Sequence, residues 1–223
     1  MKPPWAAVLF DLDGTLADTI ELILHCFRHT MRTHRDEVPP DAIWLAGLGI
    51  PLRQQLRDLA RSEEEGAAML ETYVAFQRTV HDDMVSPFPG ASELLSELRA
   101  GGAAIGVVTS KRSGLARRTL ACCGLDGTFD VLVGADDVAR AKPDPEPVRL
   151  ALSRLGLHGR ESEVLFVGDS PHDVRAGRAA GTYTAAALWG PFGQALSEGR
   201  EADFYVERLA DVLALRPLPS PGR

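Results

Sequence analysis

The sequence predicts an α/β protein, a doubly wound parallel sheet interrupted by a helical insertion. Three observations lead there. Short apolar runs recur at Ala6 to Phe10, Ala104 to Val108, Val131 to Val133, Val164 to Val167 and Tyr183 to Ala187. They are too short for helices and apolar throughout, as strands buried on both faces are. The stretches between them, Ala91 to Ala100, Ser113 to Cys122, Glu146 to Leu155 and Asp173 to Ala180, place apolar residues at helical spacing, so strand and helix alternate. More than ninety residues separate the first run from the second, far more than a crossover helix needs.

Taken in order, the first strand is followed by a segment of helical character. Ile20, Leu22, Ile23, Leu24 and Phe27 form one apolar stretch, Leu52, Leu56 and Leu59 a second, and Met69 to Val80 a third. This predicts a small helical cap over 18–86, with 1–17 and 87–215 forming the core. Ser86-Pro87-Phe88-Pro89-Gly90 closes the cap, because two prolines and a glycine stop a helix and restrict the connection, as a hinge would. After Leu215 the prolines at 217, 219 and 221 predict a disordered tail over 216–223.

A chain of 223 residues can bury a full core, and this one fits a single functional unit with an insertion. Hydrophobic residues make up 45% and charged residues 25%, which sets aside fibrous and disordered classes. The net charge of −7 argues against a nucleic-acid footprint or an anionic membrane surface. Cys26, Cys122 and Cys123 are odd in number and two are adjacent, so they do not resemble a disulfide framework, and a reducing cytoplasm is expected. The apolar run before Asp11 is too brief for a signal peptide or a membrane span. Only three of 24 basic residues are lysines, Lys2, Lys111 and Lys142, so a lysine inside a motif needs explaining.

The chemistry-bearing residues fall at strand ends. Asp11 and Asp13 leave the first strand at alternate positions, where open α/β sheets bind ligands. Two acids so close repel unless a cation or proton separates them, although an Asp-Gly turn would also give this pattern. Thr109-Ser110 ends the second strand ahead of a helix and reads either as an anion ligand or as a helix cap. Asp169 ends the fourth strand, and Asp173 sits in the first turn of the next helix, where it could simply stabilise the helix dipole. Lys142-Pro143 precedes another helix, where a solvated lysine is the ordinary outcome. The four coincide in order at the ends of one sheet, which favours a shared site.

The motifs Asp11-Leu12-Asp13-Gly14-Thr15-Leu16, Thr109-Ser110, Lys142-Pro143-Asp144-Pro145 and Gly168-Asp169-Ser170-Pro171-His172-Asp173 resemble the four motifs of the haloacid dehalogenase-like hydrolases. The helical insert after the first motif resembles that family's subclass I. The resemblance implies strand order 3-2-1-4-5, attack on phosphorus by Asp11, and proton transfer to and from the leaving oxygen and water by Asp13. It further implies Mg²⁺ bound by Asp11, the main-chain carbonyl of Asp13 and Asp169. Thr109, Ser110 and Lys142 would hold the phosphoryl group, and Asp173 would hold Lys142 or a metal-bound water. A carboxylate can attack an anionic phosphate only if fixed cations neutralise its oxygens, so a metal and Lys142 belong together.

Within the family, dehalogenating members lack the second aspartate, so Asp13 favours phosphoryl transfer. Carbon–phosphorus hydrolases need a cap lysine, and none lies between Lys2 and Lys111. Phosphoglycolate phosphatases and bacterial inorganic pyrophosphatases remain, expected in that order, with β-phosphoglucomutases and a non-catalytic phosphometabolite binder as alternatives. The expected partner is a small phosphorylated substrate, and the chain is expected as monomer or homodimer. On the cap, Arg53 after Gly47-Leu48-Gly49-Ile50-Pro51 is the candidate for substrate selection, its planar fork suiting a carboxylate or second phosphate, though an exposed helix arginine is an equal reading. Lys111 is expected to have no part in the chemistry. The histidines, His172 included, do not suggest a metal site.

Overall fold

The computed structural model describes residues 4–218. In chain order, β1 (Ala7–Phe10) leads through the two-residue strand β2 (Ala17–Asp18) into four helices, α1 (Ile20–His34), α2 (Asp41–Leu45), α3 (Leu52–Leu59) and α4 (Glu63–Val80). The chain returns through β3 (Ser86–Pro87), which pairs antiparallel with β2, so the two crossings between core and insertion lie side by side. Then follow α5 (Ala91–Ala100), β4 (Ala104–Val108), α6 (Ser113–Cys122), β5 (Val131–Val133), α7 (Glu146–Arg154), β6 (Val164–Gly168), α8 (Pro171–Ala180), β7 (Tyr183–Ala187), α9 (Gly193–Gly199) and β8 (Phe204–Val206).

The six-stranded sheet has the order β5-β4-β1-β6-β7-β8, with every pairing parallel. Counting core strands alone, this is 3-2-1-4-5-6. The expected order is correct as far as it goes and lacks the last strand. β8 is three residues long, lies at the sheet edge and carries the exposed Tyr205, so its apolar signal is too short to mark a strand.

Alternation along β1 separates two cores. Val8 and Phe10 face a cluster with Leu94, Leu95 and Leu98 of α5 and Leu120 of α6, whereas Ala7 and Leu9 face Val148 and Leu152 of α7 and Ala176 of α8. Helices therefore cover both faces, which explains why the strands are apolar throughout. The inserted helices enclose a third cluster, in which Phe27 stacks on Trp44 at a centroid distance of 4.5 Å beside Met31, Leu56, Met69 and Tyr73. Arg216 donates to the Leu213 and Leu215 carbonyls, and the Leu218 carbonyl accepts a hydrogen bond from Tyr183. The rest of the segment expected to be disordered, 219–223, lies outside the described residues. Among the described residues no helix is long and apolar enough to cross a membrane.

Candidate active site

The strand order sets β4, β1 and β6 side by side, at the usual spacing of about 4.8 Å. Their carboxyl ends deliver Thr109, Asp11 and Asp169 to one crevice. The backbone continues the ladder past each strand: the Asp11 amide donates to the Val167 carbonyl and the Thr109 amide to that of Val133, both at 2.9 Å. These side chains are thus placed by the most regular part of the fold.

Carboxylate oxygens of Asp11, Asp169 and Asp173 lie within 4.8 Å of one another, and all three residues are buried. Lys142, from the loop between β5 and α7, reaches into the cluster with a side chain 1% exposed. Its Nζ donates to Asp173 Oδ1 at 2.6 Å and to the Val108 carbonyl at 3.2 Å, and lies 3.0 Å from Asp11 Oδ1. Three carboxylates against one ammonium leave two negative charges in a buried space. The titration directions reflect that surplus. Burial pushes the Asp11 carboxyl up to about 7 against the pull of Lys142, with Asp173 and Asp13 adding to the rise. Burial, then Asp11 and Asp173, hold Asp169 well above the ordinary carboxylate range. Burial opposes charge on Lys142, but Asp11 and Asp173 outweigh it and keep the ammonium above its usual value.

The donor set fits a hard divalent cation. Asp11 Oδ1 is buried without a hydrogen-bond donor aligned on it, and the available ligands are carboxylate oxygens. Asp173 is the least available of the three. Its Oδ2 accepts from the Ser170 amide at 3.0 Å and hydroxyl at 2.6 Å, completing a capping box on α8, while Oδ1 takes Lys142. Asp169 is held by the Thr15 hydroxyl at 2.9 Å and packed between two glycines. A Cβ at Gly14 or Gly190 would overlap Asp169, and Gly14 also has φ +81°. Position 14 therefore has two independent reasons to be glycine.

Asp13 is placed differently from the other acids. Its Oδ1 accepts from Thr19 at 2.6 Å and from Lys111 Nζ at 2.5 Å. Lys111, expected to stand apart from the chemistry, has a side chain 7% exposed and ion-paired to Asp13. The rarity of lysine, which singled out Lys142, applies equally to Lys111 directly after Thr109-Ser110. Ser110, expected as a phosphoryl ligand, donates its hydroxyl to the Gly49 carbonyl of the inserted segment at 2.5 Å. Thr109 is buried and its Oγ1 accepts from the Lys111 amide at 3.1 Å.

Above these residues lies a cavity of about 960 Å³, walled by the core motifs below and the inserted helices above. The Gly47–Pro51 loop forms part of the roof. Gly49 has φ +92°, and a side chain there would press on His172 and Ser170. Gln55 ties the loop down by donating to the Ile50 carbonyl at 2.7 Å. Arg53 and Arg78 line the cavity, are exposed, and have no ion-pair partner among the described residues.

A strand-end aspartate beside a buried lysine and two further acids, roofed by inserted helices, defines a phosphotransfer-type hydrolase. The profile of the haloacid dehalogenase-like hydrolases matches residues 8–187, and the chain belongs to that family, as a phosphatase. Pyrophosphatase PpaX of Bacillus velezensis is 39% identical over 213 residues, covering 93% of this chain and 94% of its own. A haloacid dehalogenase-like hydrolase of Bacteroides fragilis superposes with a TM-score of 0.86 at 26% identity, over 93% of this chain and 99% of that one. A predicted phosphoglycolate phosphatase of Haemophilus somnus shares the fold with a TM-score of 0.84 at 23% identity, over 96% and 99% of the two chains.

Proposed function

We propose that this phosphatase is Mg²⁺-dependent and hydrolyses a small doubly anionic phosphate compound, inorganic pyrophosphate first and phosphoglycolate second. The buried Asp11 carboxylate, with one oxygen lacking an aligned donor and Lys142 at 3.0 Å, carries the reading. In it an Asp11 oxygen attacks phosphorus as the bond to the leaving oxygen breaks, giving an aspartyl-phosphate. Asp13 donates a proton to the leaving oxygen, then takes one from the water that attacks phosphorus and releases Asp11. Lys142 and Thr109 hold the phosphoryl oxygens. Asp11, Asp169 and the Asp13 carbonyl would hold the metal, which when bound supplies charge neutralisation for the phosphoryl group. Asp173 acts through Lys142, which it contacts at 2.6 Å.

Sequence resemblance alone favours phosphoglycolate; the 39% identity to a pyrophosphatase over most of both chains supports placing pyrophosphate ahead. Arg53, on the cavity wall without an ion-pair partner among the described residues, suits the second anionic group of either compound. The test is kcat/KM for pyrophosphate, phosphoglycolate, a hexose phosphate and an aryl phosphate, in wild type and Arg53→Ala. A charge-assisted contact is worth about 1.5–3 kcal/mol, so Arg53→Ala should lose roughly 10- to 100-fold on the doubly anionic substrates and little on the aryl phosphate. A wild-type preference for hexose phosphates, or equal losses on all four, refutes the substrate assignment.

A further inference from the structure

The two oxygens of Asp13 are treated unequally. Oδ1 takes both donors, the Thr19 hydroxyl and the Lys111 ammonium, and among the described residues no hydrogen bond reaches Oδ2. A carboxylate pinned through one oxygen presents the other in a fixed direction.

Lys111 is itself held from behind. Its Nζ lies 3.3 Å from Thr119 Oγ1 on α6, and the same hydroxyl meets His81 Nε2 at 2.9 Å. His81 Nδ1 lies 2.7 Å from Asp82 Oδ1, and Asp82 is clamped by Arg118 through two contacts of 2.8 Å. The direction of this chain follows from the donors available. Asp82, ion-paired to a guanidinium, can only accept, so His81 carries its proton on Nδ1. With the ring neutral, as its burial favours, Nε2 is an acceptor, and the single Thr119 proton is shared between it and the Leu115 carbonyl, which lies 3.0 Å from the same hydroxyl. The Thr119 oxygen is then left to accept from Lys111. Thr119 and His81 are fully buried, so water does not compete for these contacts. His81 and Asp82 directly follow α4, where the chain leaves the inserted helices, whereas Thr119 and Arg118 belong to the core.

We propose that Lys111 is a positioning residue for Asp13, holding Oδ1 so that Oδ2 faces the leaving-group oxygen, and that its own aim is set through Thr119 by the His81–Asp82 pair at the cap exit. The inference rests on the proton-transfer role assigned to Asp13 above. The surrounding pattern excludes a metal reading for His81, Asp82 and Cys122, because Arg118 already neutralises Asp82 and the Cys122 thiol donates to it at 3.2 Å.

A merely structural lysine would affect all substrates alike, whereas a residue that aims a proton donor matters to aspartyl-phosphate formation only when the leaving group needs the proton. The experiment therefore compares kcat/KM, which reports that formation and not the later attack of water, for phosphoglycolate, whose alkoxide must be protonated, and for 4-nitrophenyl phosphate, whose phenolate need not be. General acid catalysis is worth roughly 10²- to 10⁴-fold, so Lys111→Met should lose about 10²-fold on phosphoglycolate and less than about threefold on the aryl ester. Thr119→Val should show the same bias at about five- to tenfold, and Thr119→Ser, which keeps the hydroxyl, should restore wild-type behaviour. This threonine pair decides the matter if Lys111→Met does not fold. Equal losses on both substrates for Lys111→Met, or Thr119→Ser as impaired as Thr119→Val, overturn the proposal. Asp13→Asn run in parallel separates the two claims. If it discriminates between leaving groups and Lys111→Met does not, the positioning role alone falls; if Asp13→Asn does not discriminate, both fall.

Discussion

Replacing Lys142 by Met tests the charge arrangement of the site directly, because the side chain keeps its length and loses only its charge and donors. Lys142 is 1% exposed and touches two carboxylates that are 6% and 1% exposed, so water cannot take its place. Removing one partner of a buried ion pair costs about 3–5 kcal/mol, and here the orphaned groups are Asp11 and Asp173 together. Against a total stability of roughly 5–15 kcal/mol, that is a large fraction. Urea unfolding in the presence of a chelator should therefore show a midpoint shift equivalent to about 3 kcal/mol or more. Asp173→Asn added to Lys142→Met removes one stranded charge and should recover a substantial part of that loss. It should recover no activity, because the cation facing the phosphoryl group is still missing; loss of a comparable transition-state donor costs about 10²- to 10³-fold. An unchanged unfolding midpoint, or a double variant no more stable than the single one, would refute the account of Lys142 as the counter-charge of two buried acids.

Three further outcomes follow from the same geometry. Asp11→Asn nearly preserves shape and removes the anionic oxygen, so turnover should fall by orders of magnitude while thermal stability without metal stays equal or rises, since one repelling charge is gone; near-normal turnover in a folded variant ends the nucleophile assignment. Gly14→Ala forces a side chain into φ +81° and onto Asp169, so it should cost at least about 1–2 kcal/mol and weaken metal binding measured by calorimetry, whereas Gly124→Ala, also at positive φ but with open space around it, should cost only the conformational part. The third concerns pH: with Asp11 raised to about 7 and Asp169 also raised, the cation-free folded state keeps protons that the unfolded chain has released. Stability is then greatest below the ordinary carboxylate pKa near 3.8 as far as these two groups are concerned, and is lost as pH rises through about 7. In chelator, the contribution of these groups should fall between pH 5 and pH 8, and Mg²⁺ should raise the melting temperature more at pH 8 than at pH 5; a Mg²⁺ effect independent of pH would contradict this.

Much of the site was legible because it sits where the sequence is most regular. An apolar run ending abruptly in Asp11, Thr109 or Asp169 announces both a buried strand and what that strand delivers. Lys142 stood out by composition. Ser170 and Asp173 are spaced as a capping box, and their positions at the start of α8 follow from that spacing. What stayed hidden depends on partners remote in sequence. Asp13 and Lys111 are 98 residues apart, and nothing local shows that the lysine turns back to the first motif instead of out to solvent. Likewise Thr15 shows no sign of serving Asp169, which is 154 residues away. The Ser110 contact with Gly49 depends on how the inserted helices sit over the core, which alternation and composition do not specify.

The same strand order that makes the site also makes it costly. Adjacent parallel strands must end within about 5 Å of each other, so acids placed at the ends of β1 and β6 repel by construction. The fold does not relieve this with a matching number of basic side chains. It supplies one lysine to three acids, and it occupies Asp173 with both that lysine and the start of α8, leaving Asp11 and Asp169 under-compensated. A fourth acid, Asp13, has an ion-pair partner of its own in Lys111. The imbalance is thus confined to the two carboxylates proposed to hold the metal, where a proton or a cation from outside the chain would complete the charge. Filling the cluster with another lysine would stabilise the protein and remove the reason for a cation to bind, which is why stability here is expected to depend on metal and pH together.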